Sequence, residues 1–289
     1  MVFCPENFSE QFAKINFSWS LTRQKRLQFC CKAAVMHCRE AYCGAFADAD
    51  EKLRQIYLQH CRISREEFLR RLLIKVMRES FYRGETDVEN LSAFALDELE
   101  KSLQQMIFGK SKYILNDFDF PGASFNKIKR ELVSTLSGKC LLLKNGAWSE
   151  LLKYPAEKRR FIDTPLALQI NELSCFISPL CAVSDRGKFR IVELRSGKMG
   201  DSGRITALLH RFYIYNRYGK TADMLDSLQL DLEDGLLHLL ESDGSLSEIL
   251  DVISDDVRNY QRLLSIPLSE IPENRINCPR CVFKNICNQ

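Results

Sequence analysis

The most constraining feature of this chain is its final stretch, NCPRCVFKNICNQ, in which Cys278, Cys281 and Cys287 form a C-x2-C-x5-C array. A C-x2-C spacing lets two sulfurs converge through a tight turn, and Pro279 favours that turn. A third cysteine six residues on arrives from one further turn. Four thiolates complete a tetrahedral zinc site or an iron–sulfur cluster, so a fourth ligand must come from elsewhere in the chain. The first helical segment offers Cys30 and Cys31, with Cys38 and Cys43 less well placed on the same segment. One ligand from there and three from the tail would clasp the chain ends together. Such a clasp closes a loop of nearly the whole chain and is a stability device.

The cysteine count sharpens this reading. Twelve cysteines occur among 289 residues. The opening MVFCPENFSEQF has neither the basic nor the apolar region of a signal peptide. No run approaches the roughly 20 apolar residues of a membrane helix. The expectation is a cytoplasmic protein with no membrane contact, in which clustered cysteines mean metal or redox chemistry rather than disulfides. The scattered Cys4, Cys61, Cys140, Cys175 and Cys181 read as small buried hydrophobes. The net charge of +3 does not by itself advertise nucleic-acid binding, so local basic clusters have to carry that argument.

Texture divides the chain in three: a helical region over 1–138, an α/β core over 139–265 and the cysteine clasp over 266–289. The helical region holds LTRQKRLQFCCKAAVMHCREAYCG, stopped by Gly44, and SREEFLRRLLIKVMRESF, opened by a Ser64–Glu67 capping box. DVENLSAFALDELEKSLQQMIFG and SFNKIKRELVSTLSG follow, the latter ending before Gly138. Then LSCFISPLCAV reads as one plain or bulged strand containing Pro179, SDRGK as a hairpin turn and FRIVEL as an alternating strand. DSGRITALLHRFYIYNRYG is a helix. MLDSLQLDLEDGLLHLLES is a hairpin turning on Glu233–Asp234–Gly235, and SLSEILDVISDDVRNYQRLLS is a last amphipathic helix. This order predicts an α/β fold behind a helical region.

A lone cysteine after FSWSLTRQKRLQF, a strand pair ending IVELRSGK, a helix, a hairpin, a helix and then C-x2-C-x5-C resemble the iron–sulfur members of the PD-(D/E)XK nuclease superfamily. These include RecB-like CRISPR-associated exonucleases and AddB-type helicase–nuclease subunits. The resemblance spans residues 17–287, and the tail is its most specific part. It implies a restriction-endonuclease-like core, a mixed sheet flanked by helices, with a C-terminal iron–sulfur clasp. The family's N-terminal pattern is Ser, a spacer, an aromatic and Cys-Pro. Ser20, Phe29 and Cys30 fit it, with Cys31 in the proline's place. The resemblance thus implies a 4Fe–4S cluster on Cys30, Cys278, Cys281 and Cys287, with Cys31 as the near alternative to Cys30 and zinc as the alternative metal.

The family cleaves DNA with Mg²⁺ or Mn²⁺ held by two acids on neighbouring strands, a lysine two residues beyond the second acid and a supporting helix. The metal activates water and stabilises the transition state. IVELRSGK matches the family's IVDYKTGK, which makes Glu193 the catalytic acid and metal ligand and puts Arg195 at the lysine position. Arginine keeps the charge but cannot give up a proton. The earlier aspartate falls on Leu180 or Cys181, neither of which suits a hard cation. The helix expected to carry Gly-x-x-x-His lacks both residues, and His60 lies outside it. Thr206 and His210 stand where Gln-x-x-x-Tyr is expected. The expectation is a nuclease fold with a degenerate site. The alternative is an active Mg- or Mn-dependent exo- or endonuclease with a migrated site, drawing oxygen from Glu172 or Asp163 and charge from Lys188, Arg190 or Lys198.

Such a scaffold can still bind DNA, single-stranded or at ends. HRFYIYNRYGK interleaves cations with aromatics, the pattern of a stacking groove. Lys198, Arg204, Arg211 and Arg217 are the candidate DNA-binding residues. SLTRQKR, NKIKR and EKRR are further basic clusters. The resemblance also implies a helicase, nuclease or other protein partner, in DNA repair, recombination or antiviral defence.

Overall fold

The computed structural model describes residues 18–44, 48–84, 88–119, 124–162, 164–170, 173–196 and 201–287. In chain order, β1 (Trp19–Ser20) leads into α1 (Leu21–Phe29), α2 (Cys31–Val35) and α3 (Glu51–His60). Helices α4 (Arg65–Arg83), α5 (Val88–Ile107), α6 (Phe125–Asn145) and α7 (Ala147–Leu152) follow. Strands β2 (Arg159–Phe161), β3 (Leu166–Ile170), β4 (Leu173–Ile177), β5 (Cys181–Asp185) and β6 (Lys188–Arg195) precede α8 (Asp201–Tyr218). The chain finishes with β7 (Leu225–Asp231), β8 (Leu237–Leu239), α9 (Leu246–Leu264) and α10 (Lys284–Cys287).

This mixed α/β chain divides into two compact units. One gathers the residues up to Arg62, 167–176 and 245 onward; the other holds Ile63–Leu166 and Ile177–Gly244. The textural boundaries at 138 and 265 cut across both. Helices α4–α7 belong with the larger sheet, and α9 belongs with the N-terminal helices and the cysteine tail.

In the larger unit, Ser64 caps α4 by accepting the Glu67 amide at 3.1 Å, as the capping box predicts. Phe68, Leu72, Val76 and Phe81 recur at helical spacing and are buried, along with Trp148, whose indole donates to Ser80 Oγ at 2.9 Å. Helix α6 does not stop at Gly138. Leu132, Leu136, Cys140 and Leu143 continue one buried stripe past it, and Gly138 lies exposed on the far side. Tertiary burial of that stripe outweighs the propensity cost of a single glycine.

The sheet order is β8-β7-β6-β5-β2. Only β6 and β7 are parallel, and α8 supplies the crossover that a parallel pair needs. The β5–β6 hairpin turns on Arg186 and Gly187, both at left-handed φ (49° and 83°), the geometry of a tight two-residue turn. Val192 and Leu194 join the main core, while Glu193 lies on the opposite face.

The segment read as one strand around Pro179 is two. Strand β4 pairs in parallel with β1, Trp19 opposite Cys175, in the smaller unit. Strand β5 starts at Cys181 in the larger sheet. Proline has no N–H with which to carry a ladder through.

In the smaller unit, Leu27, Ala34 and Val35 pack against Tyr260, Leu263 and Leu264 of α9. Trp19 and Gln24 both donate to Asp256 Oδ2 at 2.9 Å. Arg39 Nη1 donates to the carbonyls of Leu264 and Ile266, both at 2.9 Å, which satisfies groups that the end of α9 leaves open. Cys61, Cys140, Cys175 and Cys181 are buried as expected. Cys4 lies outside the described residues.

Candidate metal centre

The helical run expected from residue 20 to 43 is broken at Cys30. Its backbone is extended, φ −169° and ψ 121°. Its amide closes α1 on the Arg26 carbonyl at 3.0 Å, and its carbonyl receives the Ala34 amide at 2.9 Å. This break separates two adjacent thiols that an unbroken helix would have kept close. Cys30 packs with Ala33, Met36, Ile56, Phe283 and Ile286, flanked by Cys281 and Cys287. Cys31 packs with Leu27 and the α9 residues Tyr260 and Leu263, its sulfur 3.9 Å from the Leu27 carbonyl. Cys38 shares the Cys31 cluster.

The tail wraps through a 3-10 turn over Arg275–Arg280 into α10. The Cys281 amide donates to the Cys278 carbonyl at 3.1 Å, the tight turn that C-x2-C predicts. Phe283 is fully buried, and Asn277 Nδ2 donates to the Phe29 carbonyl at 2.6 Å. The outcome is one small pocket lined by Cys30, Cys278, Cys281 and Cys287 together with Phe29, Ala33, Met36 and Phe283. Burial raises the Cys281 thiol, and Cys30 and Cys278 raise it further. Burial pushes Cys287 up to about 11, against the opposing pull of Lys32. Lys32 pairs with Glu273 at 2.6 Å, and Glu273 Oε1 lies 3.6 Å from Cys287 Sγ.

The donor set consists of soft thiols in an apolar wall, which suits zinc or iron–sulfur and not Mg²⁺. Among the described residues, no three of these sulfurs all lie within 4.8 Å of one another. The donors that do lie that close are Asp231, Asp234 and His238 at the β7–β8 hairpin. Those three are engaged in the turn. Asp231 accepts the Glu233 amide at 2.9 Å, and Asp234 accepts the Leu236 amide and faces His238 Nε2, both at 2.8 Å.

The strand pair ending IVELRSGK lies in the other unit. Glu193 is 3% exposed, its Oε1 3.2 Å from His210 Nε2 and its Oε2 3.9 Å from Arg195. His210, on α8, is fully buried and reaches Ser227 Oγ on β7 through Nδ1 at 3.2 Å. Gln229, buried beside Glu193 in the parallel register, and Thr206 complete a buried polar layer. At the start of β5 the chain offers Leu180, just before the strand, whose amide donates to the Val192 carbonyl at 2.7 Å, and Cys181, paired with Val192. Neither supplies an oxygen side chain. Ser227, His210 and Glu193 follow one another as in a hydrolytic triad. However, Ser227 is 5% exposed, which leaves no room for a substrate at its hydroxyl. The role of Ser227 is invisible in the sequence, because only the parallel β6–β7 register brings it beside the α8 face.

Of the candidate DNA-binding residues, Arg204 Nη1 is 3.4 Å from the Asp243 carbonyl, and Arg211 Nη1 donates to the Ser242 carbonyl at 2.8 Å. Both hold the segment after β8. Arg217 is exposed near the end of α8, where Tyr215 and Tyr218 are 61% and 48% exposed and Tyr218 stacks on Phe189 at 5.3 Å. In the basic clusters, Lys129 pairs with Glu100 and Lys158 with Asp185. Lys198, Asp163 and Glu172 lie outside the described residues.

Searches for related proteins return no matching family model and no matching curated protein. Among the described residues, no helix is long and apolar enough to cross a membrane.

Proposed function

We propose that this chain is an iron–sulfur protein built on a PD-(D/E)XK-type nuclease fold, whose hydrolytic site has become structural and whose remaining work is to bind DNA or support a DNA-processing complex. The observation that carries this reading is that Cys30 and the three tail cysteines line one pocket while Cys31 packs elsewhere. Cys30, Cys278, Cys281 and Cys287 would hold a 4Fe–4S cluster, which supplies a rigid cross-link between chain ends and, if it cycles, one-electron chemistry. The fold half of the reading draws support from element order: the strand pair β5–β6 is followed by helix α8 and then by the β7–β8 hairpin, as in the resemblance.

The loss of hydrolysis rests on Glu193. A carboxylate that is buried and bonded to His210, with Leu180 and Cys181 at the positions where the second acid is expected, lacks the oxygen set that Mg²⁺ requires. DNA contact, if made through α8, falls to Tyr215, Arg217 and Tyr218 rather than to Arg204 and Arg211, which are tied to backbone carbonyls.

The test is anaerobic purification with iron and sulfide analysis. Four irons and four sulfides per chain and a broad absorbance near 400 nm are expected, lost in Cys30→Ala and retained in Cys31→Ala. Stoichiometric zinc without sulfide would overturn the cluster. Mn²⁺-dependent cleavage of labelled DNA that disappears in Glu193→Ala would overturn the degenerate site.

A further inference from the structure

Outside both features just described, the larger unit contains a cavity of ≈310 Å³ lined by Phe81, Tyr82, Arg159, Arg160, Phe161 and Thr164, among others. That volume is at the lower end of small-molecule sites, which run from about 300 to 1,000 Å³. Its two arginines come from the EKRR cluster.

Arg159 is held in a particular way. Its Nη1 donates to the Leu152 carbonyl at 2.8 Å, and its guanidinium lies 5.2 Å from the centre of the Phe81 ring. Its Nε is shut off from solvent and meets no acceptor among the described residues. Nη1 is therefore anchored, which fixes the guanidinium at the cavity wall, and no carboxylate among the described residues pairs with its charge. Arg160, exposed beside it, adds a second positive charge, and Thr164 adds a hydroxyl. The opposite requirement, a flat apolar wall, is met by Tyr82, 63% exposed and tilted against Phe161 at 6.3 Å. Two cations and a hydroxyl beside an aromatic wall make a site for one phosphate and one planar ring.

We infer that this cavity binds a nucleoside 5′-phosphate, with the phosphate on Arg159 and Arg160 and the base against Tyr82. The ligand is either a free nucleotide or the 5′-phosphorylated end of a strand, since both present the same chemistry. The inference does not depend on the cluster, which lies in the other unit.

The experiment is calorimetric titration of the full chain with deoxyadenosine 5′-monophosphate, deoxyadenosine and inorganic phosphate. Saturable binding of the nucleotide is expected, with deoxyadenosine at least about ten-fold weaker, in keeping with the loss of a charge-assisted pair. Arg159→Lys, which keeps charge but loses the fork, and Arg160→Ala, at an exposed position, should each weaken it about ten-fold or more. Tyr82→Ala should weaken the nucleotide but leave inorganic phosphate unchanged. Competition by a 5′-phosphorylated oligonucleotide, and not by its 5′-hydroxyl form, identifies a strand end as the source; its failure to compete identifies a free nucleotide. No saturable binding to the wild-type chain, equal binding of deoxyadenosine, or unchanged binding in both arginine variants would overturn the inference.

Discussion

If Glu193 is now structural, removing its partner must cost more than removing its charge. His210 is fully buried between Glu193 and Ser227, with 3.2 Å to each. Nε2 meets the carboxylate and Nδ1 the serine hydroxyl. In His210→Ala the Glu193 carboxylate stays buried with Arg195 3.9 Å away, and Ser227 loses its partner. Removing the partner of a buried carboxylate leaves an uncompensated buried charge and costs about 3–5 kcal/mol. At roughly 2–4 °C per kcal/mol for a domain of 150–250 residues, Tm falls by about 6–20 °C. Glu193→Gln keeps the acceptor for His210 and removes a buried charge, so the change should stay within about 1 kcal/mol. The chain has two tryptophans, and only Trp148 lies in this unit, so urea unfolding followed by fluorescence in a Trp19→Phe background reports it separately. A His210→Ala loss below about 1 kcal/mol, or a Glu193→Gln loss as large as that of His210→Ala, would refute the reasoning.

Two further perturbations test the packing. His37 faces His60 across 2.9 Å, and burial first, then Arg26 and His60, lower it from its usual value to about 3. The unfolded chain takes up this proton near pH 6.5 and the folded one only near 3, so the associated stability is full above pH 6.5 and is lost as pH falls. Between pH 7.5 and pH 5 the loss is about 2 kcal/mol in urea unfolding read by Trp19 in a Trp148→Phe background, and His37→Gln should flatten that slope. An unchanged slope in the variant counts against the assignment. Gly138→Ala places a methyl group where nothing lies within 4 Å on an exposed helix face and should add about 0.5–1 kcal/mol. Gly44→Ala would bring its Cβ to 1.9 Å from the Leu53 carbonyl oxygen and should lower the melting temperature of the smaller unit.

What could be read from the sequence depended on how local the cause was. The Ser64 capping box, the Arg186–Gly187 turn and the C-x2-C turn are each fixed within a few residues, and each appears where its chemistry requires. Gly138 misleads because its cost is local, while the stripe that outweighs it, from Leu132 to Leu143, is settled by burial. The division at Pro179 is also nonlocal. The partner of β4 is Trp19–Ser20, more than 150 residues away, and no periodicity in LSCFISPLCAV points to it.

The contrast between Cys30 and Cys31 is the most instructive case, because two like residues side by side receive different surroundings. Periodicity cannot separate them, since one step along a helix turns a side chain by only about 100°. The separation comes from the extended backbone at Cys30, which ends α1 and starts α2. An interrupted helix leaves one residue whose neighbours are set by neither helical face, and the buried Phe283 of the tail packs against that residue. The same break sends Cys31 to the α9 side with Tyr260. A variant that shifts the helix after the break should therefore disturb the thiol pocket without touching any of its four sulfurs. Deleting Cys31 would make Lys32 follow Cys30 directly and shift the register of α2 against α9. For the cluster proposed above, the expected result is loss of its absorbance near 400 nm with Cys30, Cys278, Cys281 and Cys287 all present. Retention of that absorbance at full strength would mean that the tail, and not the helix break, positions the fourth thiol.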